Sequence, residues 1–204
     1  MARPSRDNRA LGDRPAERLD AGALAAEAAL VLLSPFTPML FMGEEWGART
    51  PWQFFSHFPD ESLRDAVREG RRREFAEHGW GDTEVPDPNA DATFLDSKLD
   101  WDEPAQEPHA TLLRLHRELI ALRKAWPELS DPWLDDVGVG GDDTARTVVL
   151  HRGALRVACN LAAEAVTLDM QAPIERILLA SEPVKGDGTA LTLPPESFAV
   201  AKLA

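Results

Sequence analysis

The residues best suited to chemistry are Glu44, Glu45 and Trp46, which lie between two glycines in the string MGEEWGA. Carboxylates accept hydrogen bonds from hydroxyl groups, and an indole can cover the apolar face of a sugar ring while its N–H bonds outward. The same pattern fits an acidic surface turn beside a tryptophan that packs in the core, and spacing alone favours this purely structural role. Adjacent residues of an extended strand point to opposite faces, so these two glutamates are a poor pair for glycoside hydrolysis, which needs carboxylates about 5–5.5 Å apart in retaining enzymes.

The other reactive side chains show no pattern that indicates a catalytic or metal site. Arg68 and Arg71 to Arg73 interleave with Glu69 and Glu74, which is typical of a solvated helix face. Cys159 lies in an apolar, strand-like run and is expected in the core. The histidines have no metal-ligand spacing, and structural roles are favoured for all of them: His57, His78, His109, His116 and His151.

Composition excludes several classes of partner. The chain has 204 residues, enough for one large or two small domains, and a formal net charge of −13, which argues against nucleic-acid binding. The longest apolar stretch, Ala21 to Leu33, is interrupted by Glu27 and is too short to span a bilayer, so no membrane partner is expected. One cysteine and an N-terminus with no apolar signal core indicate a cytoplasmic protein.

The elements around Glu44 are predicted to form part of an α/β barrel. A helix is expected from Pro15 to Leu33, with Asp13 as its N-cap, and a short buried strand from Pro38 to Met42. Because barrels carry functional residues at the carboxyl ends of their strands, this places the Glu44–Trp46 turn where a site would lie.

Further along, helices are predicted at Glu61–His78 and Pro108–Trp126, the second with four leucines on one face. The long polar connection Gly79–Pro108 between them is expected to be functional, because a connection of this length in a compact domain is uncommon. Its aromatic residues are Trp80, Phe94 and Trp101.

The last part of the chain predicts a small antiparallel β-sandwich, because short β-like runs alternate with turn residues. Gly138 to Asp143 is interpreted as a turn cluster. The domains are therefore expected to be residues 1–128 and 129–204. The predicted strands are Arg146–Arg152, Ala154–Leu161, Ala165–Met170, Arg176–Ala180, Ala190–Leu193 and Ser197–Leu203.

Three strings carry a resemblance to a known family. They are TPMLFMGEEWGA at 37–48, AVREGRRREF at 66–75 and LDSKLDW at 95–101. Together they resemble the last strand and following loop of the barrel in malto-oligosyltrehalose trehalohydrolases, which are glycoside hydrolases of the α-amylase superfamily. The resemblance implies the last strands and helices of a (β/α)8 barrel, followed by a C-terminal antiparallel β-sandwich.

The head of the chain resembles the stretch that follows the seventh barrel strand of that family. Asn8, Arg9, Ala10, Gly12, Asp13 and Arg14 match the family pattern, whereas Asp7 stands where the family has glycine. Pro4 stands in place of the family's transition-state-stabilising aspartate, and Arg3 in place of its histidine. The resemblance therefore implies no catalytic residue here, and it assigns sugar contacts to Asn8, Arg9, Glu44, Glu45 and Trp46.

The implied activity is hydrolysis of the α-1,4-glucosidic bond next to a terminal trehalose, with no cofactor. The implied partners are maltooligosaccharide or maltooligosyltrehalose and a missing N-terminal barrel segment. The family's nucleophile and acid/base lie on earlier strands, so the chain is expected to be inactive alone. One alternative is a non-catalytic carbohydrate-binding or scaffold protein derived from the same superfamily. Another is an unrelated α+β protein with a chance motif, which the density of matching strings disfavours.

Overall fold

A computed structural model describes residues 9–77 and 85–204, and these divide into two compact units. The loop unit comprises the described residues up to Arg18 together with those of Gly47–Glu103. The layered unit comprises Leu19–Trp46 and Pro104–Ala204. The helices are α1 (Ala21–Leu33), α2 (Glu61–Glu77), α3 (Asp91–Asp96), α4 (His109–Ala125) and α5 (Pro127–Ser130). None of the described helices is long and apolar enough to cross a membrane.

Eight strands of the layered unit form two antiparallel sheets. The five-stranded sheet has the order β1-β2-β3-β8-β5, and the three-stranded sheet has the order β4-β7-β6. The strands are β1 (Val137–Asp142), β2 (Thr147–Arg152), β3 (Leu155–Asn160), β4 (Val166–Asp169), β5 (Ile174–Ala180), β6 (Lys185–Asp187), β7 (Ala190–Leu193) and β8 (Ser197–Leu203).

The five-stranded sheet has a core on each of its faces. On β8, Phe198 and Val200 join the cluster that includes the buried face of α1 and Leu119 of α4. Ala199 and Leu203 of the same strand join the other cluster, which contains Leu191 and Leu193 of β7. Successive side chains of a strand point to opposite faces, so one strand contributes to both cores. The layered unit therefore has a helix layer, a central sheet and a second sheet.

The first predicted helix is shorter than expected. Pro15–Glu17 forms a 3-10 turn, and the α-helix begins at Ala21 after an extended Asp20. The predicted N-cap, Asp13, is instead held in ion pairs with Arg9 and Arg18. The expectation of one continuous helix from Pro15 was wrong because the backbone at Asp20 is extended, with φ −71° and ψ 169°, which separates the first turn from α1.

The predicted strand at Pro38–Met42 is not observed, since residues 37–41 have no regular structure. Met39 is 88% exposed, whereas a buried barrel strand would hide it. A strand requires a paired neighbour, and within the described residues this segment belongs to neither sheet. The buried strand predicted from the apolar run was therefore wrong for this structure.

Two strands were missed by the sequence patterns. β6 has only three residues, and β1 occupies most of the stretch interpreted as a turn cluster. Gly138 of β1 is paired with His151 of β2, and a Cβ atom at Gly138 would lie 3.0 Å from the Cβ of His151. The glycines of β1 therefore accommodate the histidine side chain of the neighbouring strand.

In the loop unit, α2 packs through few apolar groups. Phe75 is its buried residue, and the Arg71 guanidinium lies 4.7 Å from the ring centroids of both Phe54 and Phe75. Arg68 and Arg71 also form i,i+3 ion pairs with Asp65 and Glu74. The solvated face predicted for the arginines therefore holds for only part of the set, because Arg71 covers aromatic rings.

The compact units group residues differently from the predicted domains. Helices α1 and α4 lie in the same unit as the β-strands, whereas the sequence placed them before a boundary at residue 128. The units describe contacts within this chain, and the division into 1–128 and 129–204 stays a prediction. The helices expected at Glu61–His78 and Pro108–Trp126 are confirmed over their described residues.

Candidate functional site

The Glu44–Trp46 turn is a short 3-10 helix held by reciprocal hydrogen bonds. The Glu44 N–H donates to the Phe41 carbonyl at 2.9 Å, and the Phe41 N–H donates to Glu44 Oε2 at 2.9 Å. Gly43 enters the turn at φ +84°, a conformation that a residue with a side chain rarely adopts. One oxygen of the Glu44 carboxylate thus stabilises the turn.

Trp46 is anchored to α4 through its backbone. Its carbonyl oxygen lies 2.8 Å from Nδ1 of His109, a buried residue of that helix. A carbonyl only accepts, so His109 must carry its proton on Nδ1, which in the neutral ring leaves Nε2 as an acceptor. The Trp46 side chain is 3% exposed, so this structure leaves little indole surface for a sugar ring. Its predicted stacking role stays a prediction.

Glu45 differs from both of its neighbours. Its residue is partly exposed, and over residues 9–77 and 85–204 its carboxylate makes no hydrogen bond or ion pair. A carboxylate without protein partners keeps all its acceptor positions for a ligand's hydroxyl groups. Glu45 is therefore the member of this turn best able to bind a polyhydroxylated molecule.

The predicted head residues lie in the loop unit or outside the described residues. Asn8 falls outside them, and Arg9 donates a hydrogen bond to the Asp13 carboxylate. The same head is joined to the chain after Gly47, because the Trp52 N–H donates to the Gly12 carbonyl at 2.8 Å. Gly12 has φ +68°, and a Cβ there would meet the Trp52 carbonyl oxygen at 2.1 Å. Only glycine fits this close approach.

The loop unit contains a cleft of about 480 Å³, within the range of roughly 300–1,000 Å³ usual for small-molecule sites. Two of its lining rings, Phe55 and Phe94, meet edge to face with centroids 5.1 Å apart, and Trp52 stacks edge to face on Phe55 at 5.4 Å. The lining also includes the polar side chains of Ser56, His57, Asn89 and Asp91.

Hydrogen bonds fix the two walls of this cleft. The Ser56 N–H donates to the Pro88 carbonyl at 2.7 Å, which joins the wall after Pro51 to the wall before α3. The Asn89 side-chain amide donates to the Arg64 carbonyl at 3.0 Å, and the Thr93 hydroxyl donates to the Asp87 carbonyl at 2.6 Å. These bonds hold the cleft in shape without a ligand.

Asp87 is the charged residue that stabilises the second wall of the cleft, the one before α3. Its carboxylate accepts from Arg68 Nε at 2.8 Å and from the Asn89 N–H at 3.0 Å. Burial alone would raise the pKa of Asp87, but the hydrogen bonds from Asn89 and Arg68, together with the Arg68 charge, outweigh it and lower the pKa below its usual value. Asp87 is therefore ionised near neutral pH and keeps both partners.

The sequence indicated this cleft only indirectly. Phe94 was singled out in the long connection, and it lines the cleft, but Phe55 and Asn89 were missed because no periodic pattern contains them. Trp80 lies outside the described residues, and Trp101 is 73% exposed. In the part of the chain that the structure describes, no group of three or more His, Cys, Asp or Glu side chains is arranged to hold a metal ion.

The fold matches part of solved structures of the α-amylase family. A crystal structure from Salmonella typhimurium, named as an alpha amylase, matches 98% of this chain and 34% of its own chain with a TM-score of 0.81 and 34% identity. Malto-oligosyltrehalose trehalohydrolase of Mycobacterium tuberculosis (strain CDC 1551 / Oshkosh) is 48% identical over 182 residues, which are 89% of this chain. The enzyme of that name from Rhizobium sp. (strain M-11) is 48% identical over 194 residues, or 95% of the chain. The resemblance predicted from the sequence is confirmed.

The matched region is a minor part of those relatives. It covers 31% of the Mycobacterium enzyme and 32% of the Rhizobium enzyme, so the chain spans about a third of the curated relatives' length. Residues 132–200, which contain most of the β-strands, match the family described as Domain of unknown function (DUF3459).

Proposed function

We propose that this chain forms the C-terminal portion of a malto-oligosyltrehalose trehalohydrolase, which hydrolyses the α-1,4-glucosidic bond next to a terminal trehalose. The observation that carries the proposal is 48% identity over 89% of the chain. The sequence strings around Glu44 and in α2 therefore fall within one continuous region of similarity to the Mycobacterium relative. The working compartment is proposed to be the cytoplasm.

In this proposal the chain binds sugar and supplies none of the catalytic carboxylates. Glu45 accepts hydrogen bonds from substrate hydroxyls, because its carboxylate has no partner among the described residues. Glu44 and Trp46 mainly stabilise the turn, and they contact the sugar only through their exposed atoms. Asn8 and Arg9 contact the sugar from the N-terminal head of the chain. The nucleophile and acid/base come from a barrel segment that resembles the earlier strands of the family.

We also propose a finer architecture for the chain. Helices α1 and α4 correspond to late barrel helices, and the two antiparallel sheets correspond to a C-terminal β-sandwich. In support, Ala158, Leu191 and Ala199 from both sheets share one core cluster. The other face of the central sheet packs against the helices, which would join a barrel and a sandwich through one buried layer.

A trehalose-release assay on maltooligosyltrehalose tests the proposal. The 204-residue chain alone is expected to release no measurable trehalose, since removing catalytic groups costs several orders of magnitude in rate. The same chain fused behind the barrel segment of the Rhizobium relative is expected to release it.

Glu45→Gln in the fused protein is expected to lower kcat/KM roughly tenfold, because a charge-assisted hydrogen bond is weakened. Glu118→Gln, at an exposed position of α4, is the matched control and should leave kcat/KM unchanged. Rapid hydrolysis by the chain alone, or a fused protein that folds and releases no trehalose, would contradict the proposal.

A non-catalytic carbohydrate-binding protein is the second candidate, and the aromatic-walled cleft favours it. Calorimetric titration of the chain with maltohexaose separates the two. Binding by the isolated chain, together with an inactive fused protein, would favour the second candidate over the first.

A further inference from the structure

We propose that the cleft between Phe55 and Phe94 is a binding site for one glucosyl unit of an α-glucan chain, formed by residues other than those of the Glu44–Trp46 turn. The choice of a glucan rests on the proposed function. The site itself rests on the cleft, its volume of about 480 Å³ and the chemistry of its lining.

The aromatic walls suit the apolar face of a pyranose ring. Phe94 is 45% exposed although it is a large apolar side chain, and it lies edge to face with the half-buried Phe55. Aromatic faces pack against the C–H face of sugars and leave the sugar hydroxyls free to bond at the ring's edge. Lys98 Nζ also lies 5.1 Å from the Phe94 ring centroid, and the exposed remainder of the ring is available to a ligand of this kind.

The polar lining suits hydroxyl groups better than charged groups. His57 both donates and accepts, Asp91 accepts, and the Ser56 hydroxyl, which donates to Asn89 Oδ1, can still accept. An anion such as phosphate would face the Asp91 carboxylate, and a metal ion would find one carboxylate and no cluster among the described residues. A neutral molecule with several hydroxyls satisfies this mixed set of donors and acceptors.

Contacts within the protein also hold the walls of the cleft in place when no ligand is bound. The Ser56–Pro88 and Asn89–Arg64 hydrogen bonds fix its walls, and the Asp87–Arg68 ion pair at 2.8 Å holds the second wall against α2. A preformed site loses little conformational freedom on binding, so a weakly interacting sugar can still bind with useful affinity. The site would hold part of the glucan while another part is processed elsewhere.

The test is an NMR titration of the ¹⁵N-labelled chain with maltotriose, with cellotriose and inorganic phosphate as the comparison probes. Maltotriose is expected to shift the amide signals of residues 55–57 and 88–94. Phe94→Ala is expected to raise Kd at least about tenfold, the loss usual for an aromatic anchor, and Asp91→Asn severalfold. Phe36→Ala, an exposed phenylalanine of the layered unit, should leave Kd unchanged.

Several outcomes overturn the proposal. They are maltotriose shifts only near Glu45, equal shifts with cellotriose, a response to phosphate alone, or no shift at the cleft at all. If Phe94→Ala fails to give a folded spectrum, Asp91→Asn decides, because it preserves side-chain size at an exposed position. Failure of the proposed function would give a different result. The fused protein would fold and release no trehalose, while the cleft would still bind maltotriose.

Discussion

The loop unit and the layered unit are held together by different forces. In the layered unit, two clusters of large apolar side chains fill both faces of one sheet. Among the described residues of the loop unit, Phe75 is the only large apolar side chain that is buried, and Arg14, Thr93 and Ser97 are buried with it. The stabilisation from apolar burial is distributed over many residues, whereas each hydrogen bond contributes individually and is lost when one partner is removed. The loop unit should therefore open more easily, and one polar change should matter more there.

The largest effect is expected at Phe198, which is fully buried between α1 and the central sheet. Phe198→Ala should lower the free energy of unfolding of the layered unit by about 3–5 kcal/mol, because it removes a ring and leaves a cavity. Phe36→Ala, 64% exposed in the same unit, is the control. Urea denaturation followed by circular dichroism measures both, and similar losses for the two variants would contradict the layered core.

Cys159 offers a probe of the same unit. Burial raises the pKa of its thiol to about 12, so the folded protein should react very slowly with thiol reagents. In the Phe198→Ala variant the labelling rate should rise in proportion to the unfolded population. Fast labelling of the unmodified chain under native conditions would show that the core opens freely.

The second largest effect is expected at Arg123 of α4, whose guanidinium closes the end of α1. It donates to the Leu32 carbonyl at 2.6 Å, the Ser34 carbonyl at 2.7 Å and the Phe36 carbonyl at 3.0 Å. Arg123→Ala should cost about 2 kcal/mol, as expected for charged hydrogen bonds near a helix C-terminus. Arg123→Lys should recover only part of this in the same denaturation experiment, because an ammonium lacks the planar fork. Full recovery by lysine would show that charge alone matters.

A smaller effect, confined to the loop unit, is expected at Asn89. Asn89→Ala removes the bond to the Arg64 carbonyl and should cost about 1 kcal/mol. Limited proteolysis should then cut faster between residues 85 and 98, while Cys159 labelling stays unchanged. Equal acceleration of both processes would mean that the two units unfold together, and the contrast between them would be lost.

The smallest effect is a pH dependence that arises at His151. Burial, and then the positive charge of Arg156, lower the pKa of His151 below its usual 6.5. The unfolded chain therefore binds this proton more readily, so stability should fall as the pH drops from above 6.5 through the lower folded pKa, and level off below it. His151→Gln should flatten this change between pH 8 and pH 5. An unchanged slope in His151→Gln would assign the dependence to other groups.

Sequence patterns predicted the layered unit far better than the loop unit. The leucine spacing of α4 and the alternation in β2, β3 and β8 reflect burial on one face or on alternate faces, and burial is periodic. The pairing of β1 depended on His151 fitting across glycines, which no local pattern shows. The cleft walls depend on contacts such as Ser56 with Pro88, 32 positions along the chain, so only the fold reveals them. The residue type of Trp46 indicated a surface that binds sugar. The residue is only 3% exposed, and residue type does not reveal burial.

The alternation along β8 makes this strand unusually sensitive to a change in length. Phe198 and Val200 face the helices, while the small residues Ala199 and Ala201 alternate with them. Inserting one residue after Ser197 would turn every following side chain to the opposite face. Bulky groups would then enter the space sized for alanine, and alanines would leave holes beneath α1. A collection of random variants of this chain should therefore contain almost no single-residue insertions or deletions in β8, whereas the exposed stretch around Met39 should accept both.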